Sequence, residues 1–543
     1  MTVVKEDTYY IRAAWICIVG FSLFRLWFSG QFLLAPDETN YWQWGRHMAW
    51  GYHDQAPMIA WMIRLSTLIF GNTETAVRLP SVIAMAITST YLILIAKRWF
   101  GNKVAFSTAI LSQSILEFNV GSLLATPDGI QAAAWAAASY HVARAFEDDA
   151  WSQWLIAGMW FGFGMLSKYT MVIFLPGVFL YGLFSDVHRK RLVSIRPYCG
   201  LVLGIFMFFP VIMWNAANNW NSVRHVAFLG GANASFTIHW RFLRDFLASQ
   251  AGLLSPLIFI LGLMAWVLAI KKRKTPEQWI YPYLFFASFP MVAAFACLSL
   301  HTRIYGNWPA AGYLTASVLM AAFFSWEPSH EDKTTAITLG KKMWPWTLFT
   351  SYLITALVLI QVLWPLLPLP TKIDRTSTEL QGWWDLGQTV AILKKQMPRS
   401  DKTFLFGLRY QTASELAFYT PGQPQTVSIN KWKRPNVYDY WINDEDIIGW
   451  DAIGVTDSPE SDIERLNQVF DRVDSPQQLN VYRDRVWSKE DLNEKPVKTY
   501  YIYRAYGFKG GLRWDPPETQ DIRVYKGSFQ HFEPYREYLF ISF

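Results

Sequence analysis

A chain of 543 residues that is 52% hydrophobic and 17% aromatic is too apolar for an average soluble enzyme, while 17% charged residues are too many for one buried wholly in lipid. Composition implies a molecule that is part membrane and part soluble. The net charge of +7 does not point to nucleic acid, because Lys and Arg gather in short runs between apolar segments, which is a pattern of membrane topology. Cys17, Cys199 and Cys297 all lie in apolar stretches, which excludes a disulfide framework and a Cys-rich metal site.

The first apolar run, 11–33, is too long for a signal-peptide core and lacks a small-x-small cleavage site, so it is expected to stay as a span. After it comes APDETNYWQWGRHMAWGYHDQAP, residues 35–57, dense in acids, histidines and aromatics. Pro36 and Pro57 can each open a short helix, and Asp37 and Glu38 then fall in a first turn, where unpaired N–H groups favour carboxylates. Tyr41, Trp42, Trp44, Trp50 and Tyr52 are residue types that settle at a water–lipid boundary, so both helices are expected along a membrane surface.

Further apolar runs follow near 79–96, 104–124, 129–145, 152–167, 169–185, 198–214, 248–270, 278–300, 309–325 and 345–368, giving about eleven spans. Alternate loops collect Lys97, Arg98 and Lys103, then Arg189, Lys190, Arg191 and Arg196, then KKRK at 271–274, then Lys333, Lys341 and Lys342. That side is expected to be cytoplasmic. The opposite side receives 35–57, ATPD at 125–128, Lys168, WNAANNWNSVRH at 214–225 and HTRIYGNWP at 301–309. After Pro370 the chain turns to mixed charge, short β-rich runs and helical patterns, a domain-sized tail of about 170 residues. The expected division is a membrane domain over 1–369 and an α/β domain over 370–543 on the same outer face as those segments. No internal repeat, P-loop or dinucleotide fingerprint is present in the sequence.

Each candidate has a structural reading beside its functional one. Asp37 and Glu38 are helix-start acids that could also supply a general base, with Asp37 favoured. Asp128 follows Thr126-Pro127, a cap and helix start, and could orient an acceptor or a cation as a second carboxylate. His53-Asp54 is a turn, or an acid/base or metal-ligand pair with His301 as nearest conceivable partner; without matched ligand spacing the metal stays open. Lys168 and Arg303 either snorkel or bind phosphate, and Arg78 and Arg224 are weaker candidates. Asn215, Asn218, Trp220, Asn307 and Trp308 suit sugars, since amides bond hydroxyls and indoles cover ring faces, yet they also suit capping and anchoring. Glu117 and Asn119, inside an apolar run, are expected to face the bundle or a cavity.

In order, LAPDETNYWQW, GYHDQAPMIAWMIRL, LLATPDG, LSKYT, WNAANNW and GNWPA resemble the bacterial membrane glycosyltransferases of the protein-mannosyltransferase-like family 39. The resemblance covers most of residues 30–315 and little of the tail. It implies a GT-C fold of membrane helices with periplasmic juxtamembrane helices, a polyprenyl-phosphate-sugar donor, and catalysis on the periplasmic face of the inner membrane. It also implies Asp37 and Glu38 as the acid pair of the first outer loop and Asp128 as the later aspartate. An inverting transfer to a hydroxyl or phosphate of lipid A, another envelope glycolipid or a protein is the expectation, by a monomer, with Lys168, Arg303 and Arg78 at the donor phosphate and His53, Asp54, Asn215, Trp220, His301 and Asn307 around the sugar or acceptor. A divalent metal stays open. The chain differs from the group's lipid A aminoarabinose transferase in span count and tail, which bears on the acceptor more than on the chemistry. The rival readings are a flippase or transporter, motivated by intramembrane Arg25 and Glu117, and a non-catalytic lipid-glycan binder; paired halves with matching broken helices are not seen in the sequence.

Overall fold

Local start signals convert the apolar runs into helices. Thr73 accepts a bond from Ala76 N at 3.2 Å and opens α4 (Glu74–Phe100), and Thr334 does the same for α17 (Thr335–Leu363) from Ile337 N at 3.3 Å. A computed structural model describes residues 2–232, 237–274, 276–326, 334–367, 369–371, 374–457, 459–483 and 495–514. Lys333 and the tail from 515 onward lie outside the described residues.

Among the described residues, five helical segments are long and apolar enough to cross a membrane: Thr8–Phe28 within α1 (Thr2–Phe28), α4, α10 (Arg196–Ala217), Ile280–Ser299 and α17. The chain is a multi-pass membrane protein. Further helices pack among them: α5 (Asn102–Ser114), α6 (Leu116–Leu123), α7 (Pro127–Asp148), α8 (Trp151–Ser167), α9 (Phe174–Phe184) and α16 (Tyr313–Phe324).

Two expected spans are broken. The 248–270 run splits into α12 (Trp240–Leu254) and α13 (Pro256–Lys271), bent by 105°. Pro256 has no N–H to continue the first helix, and Ser255 before it adopts φ 79°. The 104–124 run breaks at Ile115 into α5 and α6, and the Asn119 amide donates to Gln113 O at 2.8 Å and Ile115 O at 2.9 Å, satisfying carbonyls that the break exposes.

The expected span at 152–167 is α8, which lies flush against α10. A Cβ on Gly158 would strike the Gly200 carbonyl, and one on Gly162 would come within 2.8 Å of the Gly204 carbonyl. Small residues four apart on both helices let the backbones touch, an arrangement suited to lipid, where dispersion drives helix pairing.

The basic loops meet at one end of the bundle. Arg98 pairs with Glu147 at 2.7 Å, Arg191 with Asp149 at 2.7 Å and Arg196 with Asp149, while Lys103 lies 5.3 Å from the Trp326 ring. At the other end the tail forms a six-stranded sheet ordered β2 (Thr426–Ser428), β1 (Thr403–Gly407), β3 (Asp451–Thr456), β6 (Lys498–Phe508), β4 (Phe470–Val473), with β5 (Gln477–Val481) also on β6. β1 runs parallel to β2 and β3, and β6 antiparallel to its neighbours. All five residues of β1 are buried, as a parallel strand covered on both faces requires. Helices α19 (Trp383–Lys395) and α20 (Tyr410–Tyr419) pack beside the sheet.

This unit sits directly on α2 (Pro36–Arg46). Tyr419 Oη accepts from Leu34 N at 2.6 Å, the Gln43 amide donates to Tyr438 Oη at 3.2 Å, and Phe418 meets Trp42 edge-on at 4.9 Å. That contact corrects one expectation. Trp42, Trp44 and Tyr52 are buried beneath the soluble unit, so of the aromatic set placed at the lipid boundary only Trp50, 61% exposed, stays open, and Tyr41 lines the cleft described below.

Candidate active site

Pro36 at the first position of α2 puts two adjacent carboxylates in one helical turn, and their surroundings are opposite. Glu38 is 1% exposed and takes both prongs of Arg78, at 2.8 and 2.7 Å, together with the backbone N–H groups of Ala35 and Ala125, each at 2.8 Å. The remaining donors of Arg78 go to the carbonyls of Ser29, Phe32 and Leu33 at 2.7 to 2.8 Å. Every N–H of this guanidinium is engaged inside the protein, so Arg78, expected at the donor phosphate, instead fixes the first outer loop to α4, and Glu38 is its partner in that clamp.

Asp37, one residue earlier, is exposed, yet it lies within electrostatic reach of Asp54 and of Arg375, Glu379 and Arg434 of the soluble unit, which places it in a cleft between that unit and the bundle. The surrounding protein pushes its carboxyl up to about 6, with Glu379 and Asp54 raising it further and Arg375 and Arg434 opposing them. Tyr41, one helical turn along, has its phenol raised by burial and then by Asp37, Tyr410, Asp128 and Asp54. Tyr305 is raised by burial and by Asp37, with Arg375, Arg434 and Arg303 acting against them. Groups from α2, the 51–57 turn, α7, the 301–309 loop, α18 (Arg375–Glu379), α20 and the 430s loop thus share one electrostatic neighbourhood.

Asp128 begins α7 behind Thr126, whose side chain makes no cap hydrogen bond. Its carboxylate meets Lys168 Nζ at 2.7 Å, and Ser167 Oγ donates to Pro127 O at 2.7 Å, tying the end of α8 to the start of α7. Lys168 is 6% exposed, so its ammonium is held at a fixed point. Glu117, buried on α6 as expected, senses both partners. Arg303 lies 3.9 Å from Asp245.

His53, Asp54 and His225 form a set whose ligand atoms lie within 4.8 Å of one another. His225 Nε2 is 3.2 Å from Asp54 Oδ1, and the two imidazole rings are 5.1 Å apart. Burial lowers His225 to about 4 and also lowers His53, so both are neutral near pH 7, as metal ligation requires. Asp54 is brought down to about 2 by Arg434, His225 and His53, against burial. The set could hold a divalent cation with three donors, although Arg434 Nη1, 2.9 Å from Asp54 Oδ1, already supplies positive charge there. His301, the expected partner of His53, is not in the set; its Nε2 lies 3.0 Å from Gly231 O.

The asparagines divide. Asn215 is 2% exposed and braces the turn after α10, donating to Val211 O at 3.0 Å and accepting from Val223 N at 3.4 Å, which accounts for it without a sugar. Trp220, 45% exposed at φ 58°, opens α11 (Asn221–Leu229), and Asn307 is partly exposed in the 301–309 loop. The residues that sequence reading did not single out are Tyr41 as a cleft residue, Tyr305, Arg375, Glu379, Tyr410 and Arg434. Only the first two stand inside segments whose composition attracts attention.

Residues 54–214 match the family model described as dolichyl-phosphate-mannose-protein mannosyltransferase. The lipid A galacturonosyltransferase RgtD of Rhizobium johnstonii is 24% identical over 313 residues, 57% of this chain and 64% of that protein, so the chain spans less than two thirds of this relative. ArnT from Cupriavidus metallidurans superposes with a TM-score of 0.58 at 12% identity, covering 90% of this chain and 97% of that one; the same protein bound to undecaprenyl phosphate gives 0.55. The archaeal oligosaccharyltransferase AglB from Archaeoglobus fulgidus gives 0.51 at 12% identity, over 82% of this chain and 69% of that one. These likenesses define the fold. The chain has a GT-C fold like that of ArnT and AglB, and residues 54–214 are similar to the mannosyltransferase family model.

Proposed function

We propose that the chain is an inverting glycosyltransferase of the bacterial inner membrane that moves a sugar from a polyprenyl-phosphate donor to lipid A or another envelope glycolipid on the periplasmic side. The observation that carries this is Asp37, an exposed carboxylate raised to about 6 in surroundings that include groups of α18, the 51–57 turn and the 430s loop. The relative that acts on lipid A and the structural neighbour that binds undecaprenyl phosphate support the substrate classes. The reading keeps residues 1–369 as the membrane catalytic unit and 370–543 as the periplasmic unit.

In this mechanism Asp37 takes the proton of an acceptor hydroxyl as its oxygen bonds to the anomeric carbon, and the bond from that carbon to the phosphate oxygen breaks on the opposite face. Polyprenyl phosphate departs with the electron pair, and the anomeric centre inverts. A phosphate leaves without an acid, so fixed positive charge near it is the second requirement, and Lys168 and Arg303 serve it. Asp128 holds Lys168 in place. Glu38 and Arg78 position Asp37 by fixing its helix. Trp220, Asn307 and His53 remain candidates for the sugar or acceptor.

The transporter alternative is weakened by Arg25, whose guanidinium is bound to Gln113 Oε1 at 2.5 Å and Asn119 Oδ1 at 2.7 Å in a locked, buried cluster. The family model's description favours a protein acceptor as the second reading. Mass spectrometry of lipid A and of envelope proteins from cells carrying wild type, Asp37→Asn or neither separates them. A sugar mass on lipid A only with wild type is expected. A mass on protein alone moves the acceptor, and no new mass anywhere rejects the transferase.

A further inference from the structure

One carboxyl is sealed into the junction of the two units. Glu415 stands midway along α20, the helix that rests on α2, and is 0% exposed. Among the described residues neither of its oxygens has a hydrogen-bond partner. The groups around it come from both units: Glu38 and Thr39 of α2 and Arg78 of α4 on the bundle side, Lys498 and Tyr500 of β6 and Tyr419 of its own helix on the other. Tyr438, from the loop after β2, is the further titratable group against α20, and its hydroxyl is engaged with Ser414 and Gln43 at 2.8 and 3.2 Å. The buried face of α19 and the strands β1 and β2 bring no ionisable group.

Neither nearby cation is bonded to this carboxyl. Every N–H of Arg78 is committed to Glu38 and to three carbonyls, and Lys498 Nζ lies 4.6 Å from the ring centres of Trp383 and of Tyr500. Glu38 adds a fixed negative charge beside it. A carboxylate in this place would lose its hydration with nothing in return, so Glu415 holds its proton. Burial first, and then Glu38, push the carboxyl well above its ordinary value of 4.5, with Lys498, Thr39 and Arg78 opposing them. Once α20 lifts from α2 the group meets water and ionises in the ordinary range. Below that range both arrangements keep the proton and docking is at full strength; above it the separated arrangement releases the proton, and docking weakens with each pH unit until the raised value is reached.

We propose that Glu415 is a proton-dependent latch between the soluble unit and α2, the helix that carries Asp37, so that the unit is seated while the latch is protonated and loosens as pH rises. The latch holds whether or not the chain transfers sugar; on the transferase reading it ends the active range on the alkaline side. Hydrogen–deuterium exchange of the detergent-purified full chain tests it, corrected for the intrinsic pH dependence of exchange. The pH runs from about 6.5 to about 8.5, above the range in which Asp37 titrates. Protection of 36–46 and 410–419 is expected to fall about 10-fold per pH unit in wild type, until the raised value is reached, and to stay level in Glu415→Gln, which keeps the shape of the protonated acid. Segments 151–167 and 196–217, in the bundle, should be unchanged in both. A level profile in wild type, or the same fall in Glu415→Gln, overturns the latch. Loss of protection across the bundle segments as well means general unfolding and overturns it too. Should Glu415→Gln not fold, Glu415→Met supplies the neutral side chain, and a level wild-type profile still decides against the proposal.

Discussion

Two guanidinium–carboxylate pairs lie a short distance apart along the first outer loop and differ in one respect. Arg78 and Glu38 are sealed from solvent with every donor engaged, while Arg434 keeps 34% of its side chain exposed and Asp54 14%. A closed network positions what it holds, and on the proposed mechanism Glu38 is therefore structural while the exposed Asp37 beside it is the base, although the sequence writes the two side by side.

The largest effect that would sharpen this contrast is at Asp37. Asp37→Asn is expected to lower turnover by ~10²- to 10⁴-fold with normal yield and melting temperature. Turnover within a few fold of wild type would remove Asp37 as the base. Since the base works deprotonated, a carboxyl raised to about 6 predicts activity that rises with pH through about 6 and levels above it. A limb near the ordinary carboxylate value of 3.8 would mean that the cleft does not tune it. Arg78→Ala should act on the other side of the comparison, costing ~3 to 5 kcal/mol by leaving Glu38 buried without its partner. Chemical denaturation or yield in the membrane reads this, and a well-folded Arg78→Ala protein with weakened donor binding would restore Arg78 to the phosphate. Lys168→Gln is expected to raise the donor KM about 10-fold with a smaller loss of stability, because its pair is only partly enclosed. The exposed pair Arg144–Asp148 is the control: Arg144→Ala should change stability by less than about 0.5 kcal/mol.

Local rules made part of this site legible. A proline followed by two acids announces a helix start wherever it occurs, and one end of the bundle could be told from the other by counting Lys and Arg. What could not be read was the depth of each side chain. Trp42 has the same sequence neighbours whether it meets lipid headgroups or lies under Phe418, a residue far along the chain, so the boundary assignment failed for it. The bend at Ser255 had a local cause in Pro256, but the apolar composition on both sides concealed it. Arg434 and Arg375 carried no signal because the tail is rich in charge and only tertiary contact selects these two. The close crossing of α8 and α10 is visible in retrospect as glycines at 158, 162, 200 and 204.

The docking of the soluble unit on α2 also has a consequence for the order in which the protein comes into being. The bonds from Gln43 to Tyr438 and from Arg434 to Asp54 join residues separated by 395 and 380 positions, so the loop after α1 is synthesised long before its cover exists. During that interval Trp42 and Trp44 are uncovered and the wall of the cleft formed by Arg434 and Tyr410 is missing. On the transferase reading, a chain that stalls before this point should be inert, and its uncovered indoles should mark it for quality control. A complete site would then be among the last things the chain acquires.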